Sequence, residues 1–174
     1  MSTKAKKISR ESIVAMFMDY VLEHEEVPKT VYKFCKVNSI QESDFYLHFG
    51  SISTLQKGIW TIFFDNASNV MLKNKEYQDF SNRDKMLTFF YTFFEVLTLN
   101  RSYVLFAMEQ SNNTLKNMEQ LKGLRRNVKE FTKGLIVAGN GNKNTKITKH
   151  NPQLFSEGAW LQFMFLLNFW KSDD

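Results

Sequence analysis

Apolar residues recur along the chain at helical spacing, and no stretch alternates convincingly with the period of two that a half-buried strand shows. The pattern predicts helices at about residues 9–24, 29–36, 41–48, 53–72, 86–99, 100–110, 113–138 and 152–170. Seven glycines and two prolines are few for a sheet protein with many tight turns. The sequence therefore predicts an all-α fold.

The first three predicted helices are short and closely connected. Ser9 or Ser12 can cap the first, and Pro28 stands where proline is tolerated at the start of the second. A turn at residues 37–40 joins the second helix to the third, and Asn38 tolerates the left-handed backbone conformation that such a corner needs. This arrangement meets the geometric requirement of a helix-turn-helix, although other small helical bundles share the same spacing.

The C-terminal part of the chain ends in a strongly apolar helix. The polar run at 139–149 predicts a flexible loop and is the clearest break in the chain. The last helix, from Pro152 to about Trp170, is apolar almost all round, so we expect it to be buried in this chain or in a partner. A chain of 174 residues cannot easily cover such a helix alone, and a homodimer through it is the natural arrangement.

Composition and charge narrow the class of protein. The longest apolar stretches are shorter than the roughly 20 residues that a membrane span needs, and no secretory signal leads the sequence. We therefore expect a soluble, cytoplasmic protein without membrane contact. The net charge is +5. Residues 1–10 (+4) and 116–149 (+7) are basic, and the remainder of the chain is acidic. Such basic segments suit a phosphate backbone, but basic surface also serves solubility alone.

No pattern points to catalysis. The three histidines lie far apart without metal-ligand spacing, and Cys35 is expected to be a small core residue rather than a redox sensor. The Gly-Asn-Gly-Asn run at 139–142 follows no strand, so it is not a phosphate-binding loop. We expect neither an enzyme nor a bound metal or cofactor.

One run of residues links the chain to a known family. Phe45-Tyr46-Leu47-His48-Phe49-Gly50-Ser51, followed by Leu55, resembles the end of the recognition helix in TetR-family transcriptional regulators. Residues 28–34 (Pro-x-Thr-Val-Tyr-x-Phe) are similar to the family's second helix by position, and residues 160–170 resemble the penultimate helix of a related subgroup. The resemblance covers residues 8–60 with moderately specific motifs and the remainder only through helix order and length.

The resemblance implies two domains. Residues 1–52 would form an N-terminal helix-turn-helix DNA-binding domain, and residues 53–174 a C-terminal helical domain for effector binding and dimerisation. The third helix would enter the major groove while the second crosses the backbone. The expected DNA-binding residues are Lys29, Thr30, Lys33, Lys36, Gln41, Ser43, Tyr46 and His48.

Five of these residues fall into two groups. Lys29, Lys33 and Lys36 share one face, which would contact phosphates or is simply solvated. Gln41 and Ser43 are the expected readers of base edges, because glutamine can pair with adenine. The chain departs from the family pattern in that the third helix opens with Gln-Glu-Ser-Asp (41–44) and offers no arginine or lysine to read guanine.

Aromatic residues at helical spacing fill the C-terminal part. They are either ordinary core or the wall of an effector pocket, which the resemblance implies in this region. The expected ligand-binding residues are Phe89, Phe93, Tyr103, Phe106, Trp160 and Phe163.

Two hypotheses of function follow. The first is a TetR-like repressor that binds double-stranded operator DNA as a homodimer, with an affinity modulated by an unidentified small apolar or aromatic ligand. The alternative is a TetR-shaped helical protein that binds a ligand or a partner without specific DNA recognition. The acidic start of the third helix motivates this alternative, since carboxylates beside phosphates are repelled.

Overall fold

A computed structural model of the chain describes residues 8–110, 114–141 and 150–173. Those residues form α-helices and one 3-10 helix (Lys75–Asp79), with no strand among them, which confirms the predicted all-α class. The α-helices are α1 (Arg10–His24), α2 (Val31–Val37), α3 (Glu42–Tyr46), α4 (Ile52–Lys73), α5 (Asn82–Leu99), α6 (Arg101–Glu109), α7 (Thr114–Glu119), α8 (Lys122–Gly141) and α9 (Pro152–Ser172). Within the described residues, no helix combines the length and apolar content that a bilayer crossing requires.

The chain packs as two compact units. The first comprises Met1–Ile59 and Arg101–Gln120, and the second Trp60–Asn100 and Leu121–Asp174. Helices α6 and α7 therefore belong with the N-terminal helices, and α6 packs against α1. These units reflect packing alone, and the expected functional division after residue 52 stays a prediction.

Side-chain caps begin α1 and α2. The Ser9 hydroxyl accepts a hydrogen bond from the Ser12 amide (3.1 Å), and the Thr30 hydroxyl one from the Lys33 amide (3.1 Å). The expectation that Pro28 begins the second helix was wrong. It is buried ahead of α2, because the cap at Thr30 sets the start of the helix at Val31.

Phe34 on α2 is the centre of the first unit's core. It is fully buried, and its ring meets Phe17 of α1 at 6.0 Å, Tyr20 at 6.2 Å and Phe45 of α3 at 5.8 Å, all edge to face. Cys35 beside it is buried too, as expected. One aromatic residue thus ties the first three helices together.

The predicted helix at 113–138 is in fact two helices. The chain turns at Gln120 and Leu121 between α7 and α8. The side-chain amide of Asn117 donates to the Met108 carbonyl (2.9 Å) and that of Gln120 to the Ala107 carbonyl (2.7 Å). These hydrogen bonds hold α7 to the end of α6, and the single helix predicted from periodicity is broken there.

The expected loop at 139–149 begins later than predicted. Helix α8 continues to Gly141, so residues 139–141 are helical, while 142–149 lie outside the described residues. The Asn140 side chain donates to the His150 carbonyl (2.7 Å) and accepts from the His150 amide (2.9 Å). This amide pairing holds the end of α8 to His150, two residues before α9 begins.

Helix α9 buries one face and exposes the other. Trp160, Phe163 and Leu167 are buried in the second unit, where α9 packs along α8. Its outward face is also apolar and includes Leu161, Phe165 and Phe169, each more than 60% exposed. We call these three residues the α9 stripe. The expectation of a helix that this chain does not cover completely agrees with this burial pattern.

Candidate nucleic-acid interface and effector cavity

The turn between α2 and α3 is built on Ser39. Its backbone has a left-handed φ of 54°, whereas Asn38 has a φ of −86°. The expectation that Asn38 takes the left-handed conformation was therefore wrong by one position. Asn38 instead turns its side-chain amide back to donate to the Phe34 carbonyl (2.9 Å), and the Ile40 amide reaches the Cys35 carbonyl (3.0 Å). These bonds close α2 and direct the chain into α3.

The end of α3 is anchored to the start of α1. His48 Nε2 donates a hydrogen bond to the Ile8 carbonyl (2.9 Å), and the Arg10 guanidinium lies 5.4 Å from the centre of the buried Phe49 ring. His48 is half-buried in this position. Its observed role is thus to fix the orientation of α3, whereas its expected DNA contact is untested.

The surface at α2 is positively charged. Lys29, Lys33 and Lys36 are all exposed, and the Lys36 ammonium lies 5.9 Å from the centre of the exposed Tyr32 ring. The Thr30 side chain is engaged as the cap of α2 but remains exposed. This surface can receive phosphates without the removal of any buried group.

The surface at α3 carries neutral outward groups. Gln41, Ser43 and Tyr46 are exposed, as is Leu47, which the sequence reading did not single out. Glu42 and Asp44 are half-buried. Burial raises the pKa of the Cys35 thiol, and these two carboxylates raise it further, so the thiol stays protonated and unreactive at neutral pH.

The eight expected DNA-binding residues thus lie within one helix-turn-helix. Its α2 side is cationic, and the exposed groups on its α3 side are an amide, a hydroxyl, a phenol and an isobutyl group. Tyr32 and Leu47 belong to the same surface. Neither residue lies on the buried helix face that contains Phe34 or Phe45, and this position in the helical pattern predicts that both side chains are exposed.

The second unit contains a cavity of about 810 Å³ among α5, α8 and α9. This volume lies in the range of sites that hold drug-sized molecules. The lining is mostly apolar and consists of Asn82, Arg83, Met86, Leu87, Phe90, Thr132, Leu135, Ile136, His150, Leu154, Phe155, Gly158, Ala159 and Gln162.

None of the six expected ligand-binding residues lines this cavity. Phe89, Phe93, Trp160 and Phe163 are buried core of the second unit; the Phe163 ring lies 5.3 Å from both the Phe93 and the Trp160 ring. In the first unit, Tyr103 is buried with its ring 6.4 Å from that of Phe17, and Phe106 is half-buried. The structure thus divides the six between two cores.

The sequence held a weaker signal for the cavity. Gly158 and Ala159 are the small residues of an otherwise bulky apolar helix, and a small residue leaves space that a periodic pattern of large ones does not reveal. A Cβ built on Gly158 meets no atom within 4 Å. The polar residues of the lining, such as Asn82 and Gln162, follow no periodic pattern in the sequence that would predict a cavity.

Comparison with known proteins identifies a family for the C-terminal part of the chain. A family model described as the tetracycline repressor-like C-terminal domain matches residues 85–174, which is more than half of the chain. No curated protein and no solved structure matches. The chain belongs to the TetR family of regulators.

Proposed function

We propose that this protein is a DNA-binding transcriptional repressor of the TetR type, whose affinity for its operator falls when a small ligand with an apolar or aromatic body binds the C-terminal part. The observation that carries the proposal is the helix-turn-helix, in which an exposed lysine surface on α2 adjoins the exposed face of a short third helix. The family membership of the C-terminal part is independent support.

The lysine surface provides docking on the DNA backbone. Lys29, Lys33 and Lys36 would each neutralise a phosphate and release its counterion, so binding should be strong at low salt and weaken steeply as salt rises. Gln41 and Ser43 would then read base edges, with adenine the preferred partner of the glutamine. Backbone contacts set the register of α3 and supply most of the affinity.

The cavity supports regulation by a ligand. Helix α4 contains residues of both compact units, since Ile59 ends the N-terminal segment of one and Trp60 begins the other. A ligand that favours one arrangement of the second unit would shift the population of DNA-competent protein by the difference in its affinity for the two states. Repression and relief would follow from that shift.

The test is a titration of a fluorescein-labelled DNA duplex with the full chain, followed by fluorescence anisotropy at several salt concentrations. We expect Lys33→Glu to weaken binding uniformly across sequences and to reduce the slope of log affinity against log salt by about 1. Lys75→Glu, an equal charge change at an exposed residue outside the helix-turn-helix, is the matched control and should reproduce only the small effect of net charge. No binding by the unmodified chain at low salt, or equal losses in both variants, would overturn the proposal.

The second candidate is a helical ligand-binding or interaction protein without specific DNA recognition. It is favoured by Glu42 and Asp44, which place two carboxylates on the helix that would enter the groove. In the same titration this candidate predicts equal affinity for all duplex sequences, or none at low salt, while a ligand still binds the cavity.

A further inference from the structure

The lining of the cavity in the second unit has a distinct chemical character, and it narrows the class of effector that the proposed function requires. Most of the wall is aliphatic or aromatic, with Met86, Leu87 and Phe90 from α5 and Leu135 and Ile136 from α8. On the α9 side, the lining includes two small residues, Gly158 and Ala159. A surface of this kind favours a flexible apolar chain over a polar ring system, because burial of apolar area is the main gain it offers.

Two polar groups of the wall are already engaged. The Asn82 side-chain amide donates to the Leu135 carbonyl (2.7 Å), and the Thr132 hydroxyl donates to the Val128 carbonyl (2.9 Å). A ligand therefore does not need to provide a hydrogen-bond acceptor for either donor. The wall can accept an apolar chain without leaving either donor unpaired, which would otherwise cost affinity.

The charge of the lining has one sign. Arg83 is its one formally charged residue at neutral pH, and none of the lining residues is Asp or Glu. Arg83 is exposed, and it forms no ion pair within the described part of the chain. The neighbouring Asp84 does not line the cavity, and its carboxylate accepts a hydrogen bond from Ser81 (2.6 Å).

We propose that the cavity binds an amphiphilic organic monoanion. A medium-length alkyl chain would occupy the space beside Gly158, and a terminal carboxylate would pair with the Arg83 guanidinium, which presents several donors to such a group. This inference rests on the proposed function for its regulatory meaning, but the binding site stands on its own geometry.

The first test compares three ligands that share one alkyl chain and differ in charge: decanoate, decanol and decyltrimethylammonium, each at concentrations where it is monomeric. Isothermal titration of the full chain should show decanoate binding at least about tenfold more tightly than the cation, with a preference that shrinks as salt rises. Arg83→Gln should weaken decanoate about fivefold, the limit for an exposed ion pair, and leave decanol unchanged. Arg126→Gln, an exposed arginine of α8 outside the cavity, is the control.

The second test fills the cavity. Gly158 lines the cavity from an exposed position where a Cβ meets no atom within 4 Å, so the leucine of Gly158→Leu should obstruct the cavity from its exposed side; we expect a folded protein that binds decanoate at least about tenfold more weakly. Gly134→Leu is the matched control, because Gly134 is also helical and open but does not line the cavity. Equal affinity for all three ligands would overturn the monoanion assignment, and unchanged binding in Gly158→Leu would overturn the site. No DNA is present in either test, so failure here is separate from failure of the DNA titration.

Discussion

Ser39, in the turn between α2 and α3, has a left-handed backbone conformation that suits glycine better than serine. A φ of 54° places its Cβ close to the following carbonyl oxygen, and this conformation costs a residue with a side chain roughly 1 kcal/mol. Glycine lacks that Cβ. The turn is maintained because the Phe34 and Cys35 carbonyls accept hydrogen bonds from Asn38 and Ile40 on either side of Ser39.

Ser39→Gly should therefore stabilise the protein. We expect the free energy of unfolding to rise by up to about 1 kcal/mol, part of the gain being offset by the greater freedom of glycine in the unfolded chain. Urea denaturation monitored by circular dichroism measures the change. Ser39→Ala retains the Cβ and should give no such increase; if alanine stabilises as much as glycine, the strain at this position does not exist.

At the scale of the helix, a cap formed between close neighbours can be read from the sequence, whereas helix ends that depend on tertiary contacts cannot. Ser9, one of the two expected caps of α1, accepts a hydrogen bond from the amide three residues further along the chain. The break between α7 and α8 depends on Asn117 and Gln120 reaching carbonyls of α6, nine and thirteen residues earlier. Helical periodicity contains no information about such bonds.

The same distinction explains the candidate sites. The exposure of Lys29, Lys33 and Lys36 was predictable because outward charge on a short helix follows directly from sequence and register. The cavity was not, since a gap results from how α5, α8 and α9 pack, and the aromatic residues that the pattern emphasised fill the core instead. A periodic pattern of large apolar residues therefore predicts the packed core and not a cavity beside it.

The packing of α8 along α9 includes a charged cluster whose effect on stability should depend on pH. Glu157 of α9 accepts hydrogen bonds from Lys129 and from Arg125 (3.0 Å) of α8. The Lys129 bond, and after it the Arg125 bond, lowers the pKa of the Glu157 carboxyl below its ordinary value of 4.5. Because the folded pKa is depressed, this stabilisation is complete above the unfolded-state pKa and is lost as pH falls through the folded one.

Glu157→Gln should thus lower the melting temperature slightly at pH 7 and have progressively less effect as the pH falls below 4.5. The effect is small because the carboxylate is solvent-exposed and screened. Thermal melts of both proteins across this pH range test the expectation. Glu95→Gln, at an exposed position of α5, supplies the control, and a constant difference at every pH would rule out the ionic origin.

At the scale of the whole molecule, the α9 stripe is an apolar surface that a monomer leaves in water. Leu161, Phe165 and Phe169 are 68%, 71% and 65% exposed, and they follow one another at intervals of four residues along a single helix face. A contiguous exposed apolar surface is typical of an interaction site. A two-fold interface would bury the stripe against its own copy and provide two reading helices for the two halves of an operator.

Phe165→Glu should therefore convert a dimer to a monomer. A buried carboxylate on each side of a two-fold axis loses the apolar contact and adds like-charge repulsion. Light scattering after size exclusion should give twice the chain mass of 20.5 kDa for the unmodified protein and the single value for the variant. Val70→Glu, an equally polar change at an exposed apolar position of α4, should remain dimeric. Because the proposed operator binding would use two linked half-site contacts, Phe165→Glu should also weaken it although Phe165 lies in a different compact unit from the lysine surface. A monomeric unmodified chain, or a Phe165→Glu variant that stays dimeric, would exclude the α9 stripe as the interface.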